Sequence, residues 1–224
     1  MERGVGPSGI WSGTVSVRPM DLAELVNPRH TTIVCMEMER GVVGDLCLVP
    51  GLEDAVKESG IVDRCRALFV AARGAGIRVI HCTAAFRPDR VGSYRNMPTV
   101  NRFLENPDHL LVDSPTTQIL PELHDPSDFE SRRFHGIAPF IGTSLDPTLR
   151  SLGARTIIGT GVSLNRGILG ITIEGVDHGY SVVVPRDAVA GYPAEYGEMV
   201  LKHSLDGLAT LTTVSELIEL WSSR

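Results

Sequence analysis

The chain has 224 residues, 42% hydrophobic and 21% charged, a balance that suits one compact soluble domain and excludes a disordered chain or a small disulfide scaffold. The formal net charge of -6 argues against duplex nucleic acid as a partner, because phosphate binding needs a clustered positive surface. Aromatic residues make up only 5%, too few for a platform on which single strands could stack.

Residues 1–29 are rich in Gly, Ser and Pro and carry an isolated Trp11. They are expected to form an N-terminal arm, either covering a neighbouring subunit of a homo-oligomer or folded back on their own domain. The arm lacks the apolar core of a signal peptide, and no stretch of the sequence reaches the roughly 20 apolar residues of a membrane span. Residues 30–224 are expected to form one domain. Thr31–Met38 (TTIVCMEM) is a short, β-branched apolar run and predicts a buried strand. Strict alternation would place Ile33, Cys35, Glu37 and Glu39 on one face. Leu52–Ala75 has helical spacing, with Gly60 as a candidate break, and Ile77–Cys82 predicts a second strand. Residues 87–130 carry six prolines and read as loop, with a short helix over Thr99–Glu105. Beyond them the pattern predicts a helix over Leu145–Leu152 and a strand over Arg155–Thr160. A helix over Asn165–Gly179 and a strand over Tyr180–Val184 come next. A helix over Pro193–Ala209 is opened by its proline, and a short strand over Leu211–Thr213 precedes a last helix over Val214–Ser222. Strand and helix in alternation imply a mostly parallel α/β sheet covered on both faces, with its reactive groups at the carboxyl ends of the strands.

Two strand ends carry chemistry. The first ends in Glu37-Met38-Glu39, and a carboxylate embedded in an apolar strand is costly unless paired. Desolvation of such a group is one way to make a general acid, while a salt bridge to an arginine is the structural alternative. The third predicted strand runs directly into a helix through Gly161-Val162-Ser163-Leu164-Asn165-Arg166-Gly167. The first amides of a helix lack intrahelical partners and suit an anion or a developing oxyanion. The glycines here do not complete a dinucleotide fingerprint, and Ser163 is not in a GxSxG elbow. The cysteines, Cys35, Cys47, Cys65 and Cys82, form no CxxC pair, and no Cys/His cluster suggests zinc. They are read as reduced thiols, hence a cytoplasmic protein. Neither a metal nor another cofactor is expected.

Taken in order, several segments resemble the isochorismatase-like, or cysteine hydrolase, superfamily over about residues 30–215. The family's first strand ends in a pattern like [I/V]-D-M-Q, here Met36-Glu37-Met38-Glu39. Its S-A-F-x-G-T-x-L turn reads here as Ala138-Pro139-Phe140-Ile141-Gly142-Thr143-Ser144-Leu145. Its T-G-V stands as Thr160-Gly161-Val162, and its later D-A as Asp187-Ala188. The resemblance implies a doubly wound, Rossmann-like sheet of six parallel strands with helices on both faces. It also places a cis peptide between Val162 and Ser163. The family's catalytic acid falls on Glu37, its nucleophilic cysteine on Gly167, and its lysine on Phe134, with Arg133 and His135 beside it.

A glycine cannot supply a thiolate, so the thiol-dependent mechanism is ruled out by the resemblance itself. The isochorismatases proper also carry glycine there and use the acid without a covalent intermediate. The expectation is therefore a hydrolase acting on a small, anionic metabolite, with Glu37 as general acid or base and Arg133 or His135 orienting the substrate. Ser163, Asn165, Gly167, Arg87 and Phe140 are the expected substrate-binding residues. The alternative is an inactive family member that binds a small molecule or builds an oligomer. An open cleft with a cation within reach of Glu37 would favour catalysis, and a sealed apolar pocket would favour the alternative.

Overall fold

A computed structural model of the chain describes residues 21–49 and 51–222. Among the described residues there are seven strands: β1 Thr31–Met36, β2 Arg78–Ala84, β3 Phe129–Arg133, β4 Thr156–Val162, β5 Ser181–Pro185, β6 Val189–Ala190 and β7 Thr210–Thr212; the short helices α1 Leu22–Leu25, α2 Arg40–Val43 and α5 Pro98–Glu105 accompany the longer ones named below. Six of them run in the order β3-β2-β1-β4-β5-β7, every pair parallel, and the two-residue β6 pairs with the end of β4. The chain winds outward from β1 through β2 to β3, then returns to β4 on the other side of β1 and winds outward again. The switch therefore falls between β1 and β4, where open sheets of this kind leave a crevice at the strand ends.

Alternation along the strands builds two cores. Ile33, Cys35, Val79, Ile158 and Val183 face one side, and Val34, Met36, Ile80, Ile157 and Val184 face the other. The first side is covered by α3 (Leu52–Ser59), α4 (Ile61–Gly74) and α9 (Val214–Ser222), through residues such as Val56, Leu68, Phe69 and Leu217. The second is covered by α6 (Leu145–Ser151), α7 (Leu169–Asp177) and α8 (Ala194–Val200), through Leu145, Leu149, Ile171 and Val200. Among the described residues, no helix is long and apolar enough to cross a membrane.

The predicted helix over 52–75 splits at Gly60 into α3 and α4. β3 begins at the end of the stretch read as loop, residues 87–130, and continues through residues for which no element is predicted. Its sequence, Phe-Glu-Ser-Arg-Arg, has almost no apolar alternation, because it is an edge strand exposed along much of its length. Of the expected N-terminal arm, residues 1–20, including Trp11, lie outside the described residues. Residues 21–29 pack on the domain: Leu25 and Val26 are buried in the first core, and the Trp221 indole donates to the Val26 carbonyl at 3.0 Å.

Candidate active site

β1 ends at Met36, one residue before the first carboxylate. Glu37 takes a left-handed backbone (φ 51°) while its amide still donates to the Cys82 carbonyl of β2 at 2.9 Å. That turn resets the alternation. Met38, rather than Glu37, joins Ile33 and Cys35 in the core, and the Glu37 side chain turns into the crevice. There it forms an ion pair with Arg133, the last residue of β3, whose Nη2 donates to Oε1. Between them lies β2, which carries only the methyl of Ala84 opposite Arg133 and so leaves room for the pair. Arg133 is 6% exposed; its Nε donates to the Gly136 carbonyl at 3.3 Å, and its buried Nη1 has no partner among the described residues.

β4 approaches β1 closely at this level. A Cβ on Gly161 would stand 2.2 Å from the Met36 carbonyl oxygen, and Gly161 has φ 97°, so glycine is required twice over. The next peptide but one, Val162–Ser163, is cis, as the resemblance implied. The chain then enters a π-helical turn, Leu164–Ile168, which continues as α7.

These elements enclose two adjoining chambers. The inner one, about 90 Å³, contains Glu37, Arg133, His135 and Ala84 among apolar side chains such as Val42 and Val100. The outer one, about 390 Å³, adds Arg102, Asn106, Asn165 and Tyr192. Ser163 and Arg166 border both chambers, and neither Arg102 nor Arg166 makes an ion pair among the described residues. His135 accepts a hydrogen bond at Nδ1 from the Tyr94 amide (3.3 Å), which leaves the proton of the neutral ring on Nε2.

The structure thus brings Glu37, Arg133, His135, Ser163 and Asn165 together. Three other expected residues lie elsewhere. Arg87 is half exposed and paired with Asp89 at 2.8 Å, a surface ion pair bordering neither chamber. Phe140 is 4% exposed in the second core, where it stacks on His178 at 4.6 Å. Gly167 is buried beside the chambers and borders neither. A Cβ there would stand 2.8 Å from the Val162 carbonyl oxygen, so the backbone has closed over the position. The amides expected to bind negative charge are also partly used, since those of Arg166 and Ile168 both donate to the Ser163 carbonyl. Phe134, the position aligned with the family's lysine, follows the end of β3, is exposed and borders the inner chamber, while the buried cation beside it is Arg133.

No cysteine borders either chamber. Cys35, Cys65 and Cys82 are buried, and burial pushes all three thiols up, Cys35 to about 12. Cys47 is only partly buried and is also raised, mainly by burial. Among the described residues, no three His, Cys, Asp or Glu side chains cluster as metal ligands would.

Glu39 is a group that the sequence pattern put on the wrong footing. It is fully buried, with Oε2 accepting from the Ala84 amide at 2.9 Å and Oε1 without a partner. Burial pushes its carboxyl well above the usual range; the Ala84 amide opposes this, the nearby Glu37 adds to it, and Arg133 opposes it. A folded-state pKa above the unfolded one means that stability is lost as pH rises above the unfolded value. Glu39→Gln is neutral at every pH, so it should raise the melting temperature more at pH 8 than at pH 5. A gain of about 2–4 °C per kcal/mol is expected for a chain of this size, read by thermal denaturation at the two pH values. Equal melting temperatures at pH 8 would show that Glu39 ionises freely in the folded protein.

The isochorismatase domain profile matches residues 31–216. Among solved structures, a cysteine hydrolase from Pseudomonas syringae pv. phaseolicola superposes with a TM-score of 0.77 at 24% identity, covering 89% of this chain and 95% of that one. An isochorismatase family protein from Burkholderia thailandensis gives 0.72 at 24% identity, covering 87% and 96%. The N-carbamoylsarcosine amidase from Thermoplasma acidophilum gives 0.65 at 19% identity, covering 83% and 96%. These likenesses establish the shared fold. No curated protein matches the chain.

Proposed function

The chain belongs to the isochorismatase family of hydrolases, and from that premise we propose that it hydrolyses a small anionic metabolite without a cysteine nucleophile. The observation that carries this reading is the Glu37–Arg133 pair inside a chamber that opens to a larger one, with no thiol on either wall. Glu37 is the group that gives or takes the proton, on water or on the leaving oxygen. Arg133 cannot serve as the proton carrier, because its guanidinium stays charged. Its free Nη1 instead offers a fixed, charged donor to a substrate carboxylate or to oxygen charge developing in the transition state. The guanidinium of Arg166 at the boundary of the chambers, without an ion-pair partner among the described residues, favours the entry of an anion. His135 stands on the inner wall as a further polar group for the substrate. A homo-oligomer in the cytoplasm completes the proposal, and light scattering tests the assembly.

The test is turnover. Isochorismate and N-carbamoylsarcosine, with a panel of small carboxylates bearing ether, ester or amide bonds, should reveal at least one hydrolysed compound. Treating the folded protein with iodoacetamide should modify Cys47 at most and leave that turnover within about twofold, since covalent catalysis by a thiol needs an accessible thiolate. Complete inactivation on alkylation would restore a cysteine mechanism. Absence of turnover across the panel, with tight binding of some member, would favour the inactive binding protein.

A further inference from the structure

The inner chamber, about 90 Å³, is far smaller than the roughly 300–1,000 Å³ of typical small-molecule sites. A metabolite that reaches Arg133 must therefore extend into the outer chamber, past the side chains that border both. One of these is His109, which is 2% exposed. Its ring stacks on Phe103, with centroids 4.5 Å apart, and lies 6.2 Å from Phe86. The loop that carries it is fixed at its base: the Phe86 amide donates to the Leu110 carbonyl at 2.7 Å, and the Val112 amide to the Phe86 carbonyl at 2.9 Å. No hydrogen bond to either ring nitrogen is formed among the described residues, and Nε2 is buried. Buried polar groups normally have a partner, and an unpartnered imidazole on a residue that borders both chambers points to a ligand group as the missing one.

Resting on the proposed anion-binding site, we propose that His109 is a specificity-determining residue that hydrogen-bonds a polar group of the substrate where it passes from the inner to the outer chamber. The ligand class is an anion whose carboxylate meets Arg133 and whose body carries a hydroxyl or carbonyl some atoms away. Burial, and secondarily the charge of Arg90, hold the His109 imidazolium constant down at about 4, so the ring is neutral at physiological pH. A neutral imidazole can both donate and accept, which suits a hydroxyl. A wall built this way penalises a ligand lacking that group, because the imidazole is then left unpaired on closure.

Benzoate, 3-hydroxybenzoate and 4-hydroxybenzoate are suitable probes, measured by calorimetry on the full chain. At least one hydroxybenzoate should bind about tenfold more tightly than benzoate, as one buried hydrogen bond warrants. His109→Phe, which keeps an aromatic ring against Phe103, should abolish the preference, so that benzoate and the hydroxybenzoates bind with equal affinity. His109→Asn should keep part of it. On the wild type, the ¹⁵N resonances of the His109 ring should move with the preferred hydroxybenzoate and not with benzoate. Equal affinities for the three probes, an unchanged preference in His109→Phe, or an unmoved His109 resonance would overturn the proposal while leaving the anion site intact. Failure of all three to bind would remove the anion site and the proposal with it.

Discussion

Glu37→Gln is expected to lower turnover of the hydrolysed compound by about 10² to 10⁴, the usual worth of a positioned general acid or base. The amide keeps the size of the side chain and an oxygen that can accept from Arg133, but it carries no transferable proton. KM should change much less than kcat, because the anion receptor, Nη1 of Arg133, is untouched. Stability should fall as well: Arg133 is 6% exposed and loses its carboxylate. Rates should therefore be compared per folded molecule, with the folded fraction read by circular dichroism in the same buffer. A Glu37→Gln protein that is folded and retains full kcat would remove Glu37 from the mechanism.

Arg133→Met is expected to be the most destabilising single change at the site. It leaves the Glu37 carboxylate, itself only 18% exposed at the side chain, among apolar neighbours with no cation in contact. Removing one member of a buried pair costs about 3–5 kcal/mol, most of it the penalty of the stranded charge. The double variant Glu37→Gln/Arg133→Met has no stranded charge and should recover most of that loss in urea denaturation. It should recover none of the activity. A cycle in which Arg133→Met is as stable as the wild type would mean that the pair does not hold in solution. The two experiments separate what the pair does for the fold from what Glu37 does for the reaction.

Much of the scaffold was legible in the residues. β1, β2, β4 and β5 are apolar runs buried on both faces, and such runs announce themselves without help from the rest of the chain. β3 was not legible, because an edge strand needs few apolar residues, and so the element that delivers Arg133 to the site was not predicted. The arginine itself was a candidate, but one of several; the structure chose it over Arg87, which a local Asp89 already satisfies. Phe140 sits in a family turn, yet its ring is spent on core packing against His178.

The side of the sheet to which Glu37 belongs shows the same limit at a single residue. Alternation gives a face only while the backbone stays extended, and the left-handed turn at Glu37 shifts every later side chain by one place. His109 carried no signal, and Glu39 was legible only as a carboxylate at a strand end, since an unpartnered nitrogen or a stranded carboxyl oxygen is a property of what surrounds it. The sequence by itself determined the sheet, its two covered faces, the family and the absence of a side chain at Gly167, because periodicity and residue identity are local. The tertiary structure decided which cation meets Glu37, which polar groups are left open on the chamber walls, and that the backbone has closed over Gly167. The pairing of Glu37 with Arg133 joins residues 96 positions apart, and the closure over Gly167 depends on the path the backbone takes after Val162; periodicity encodes neither.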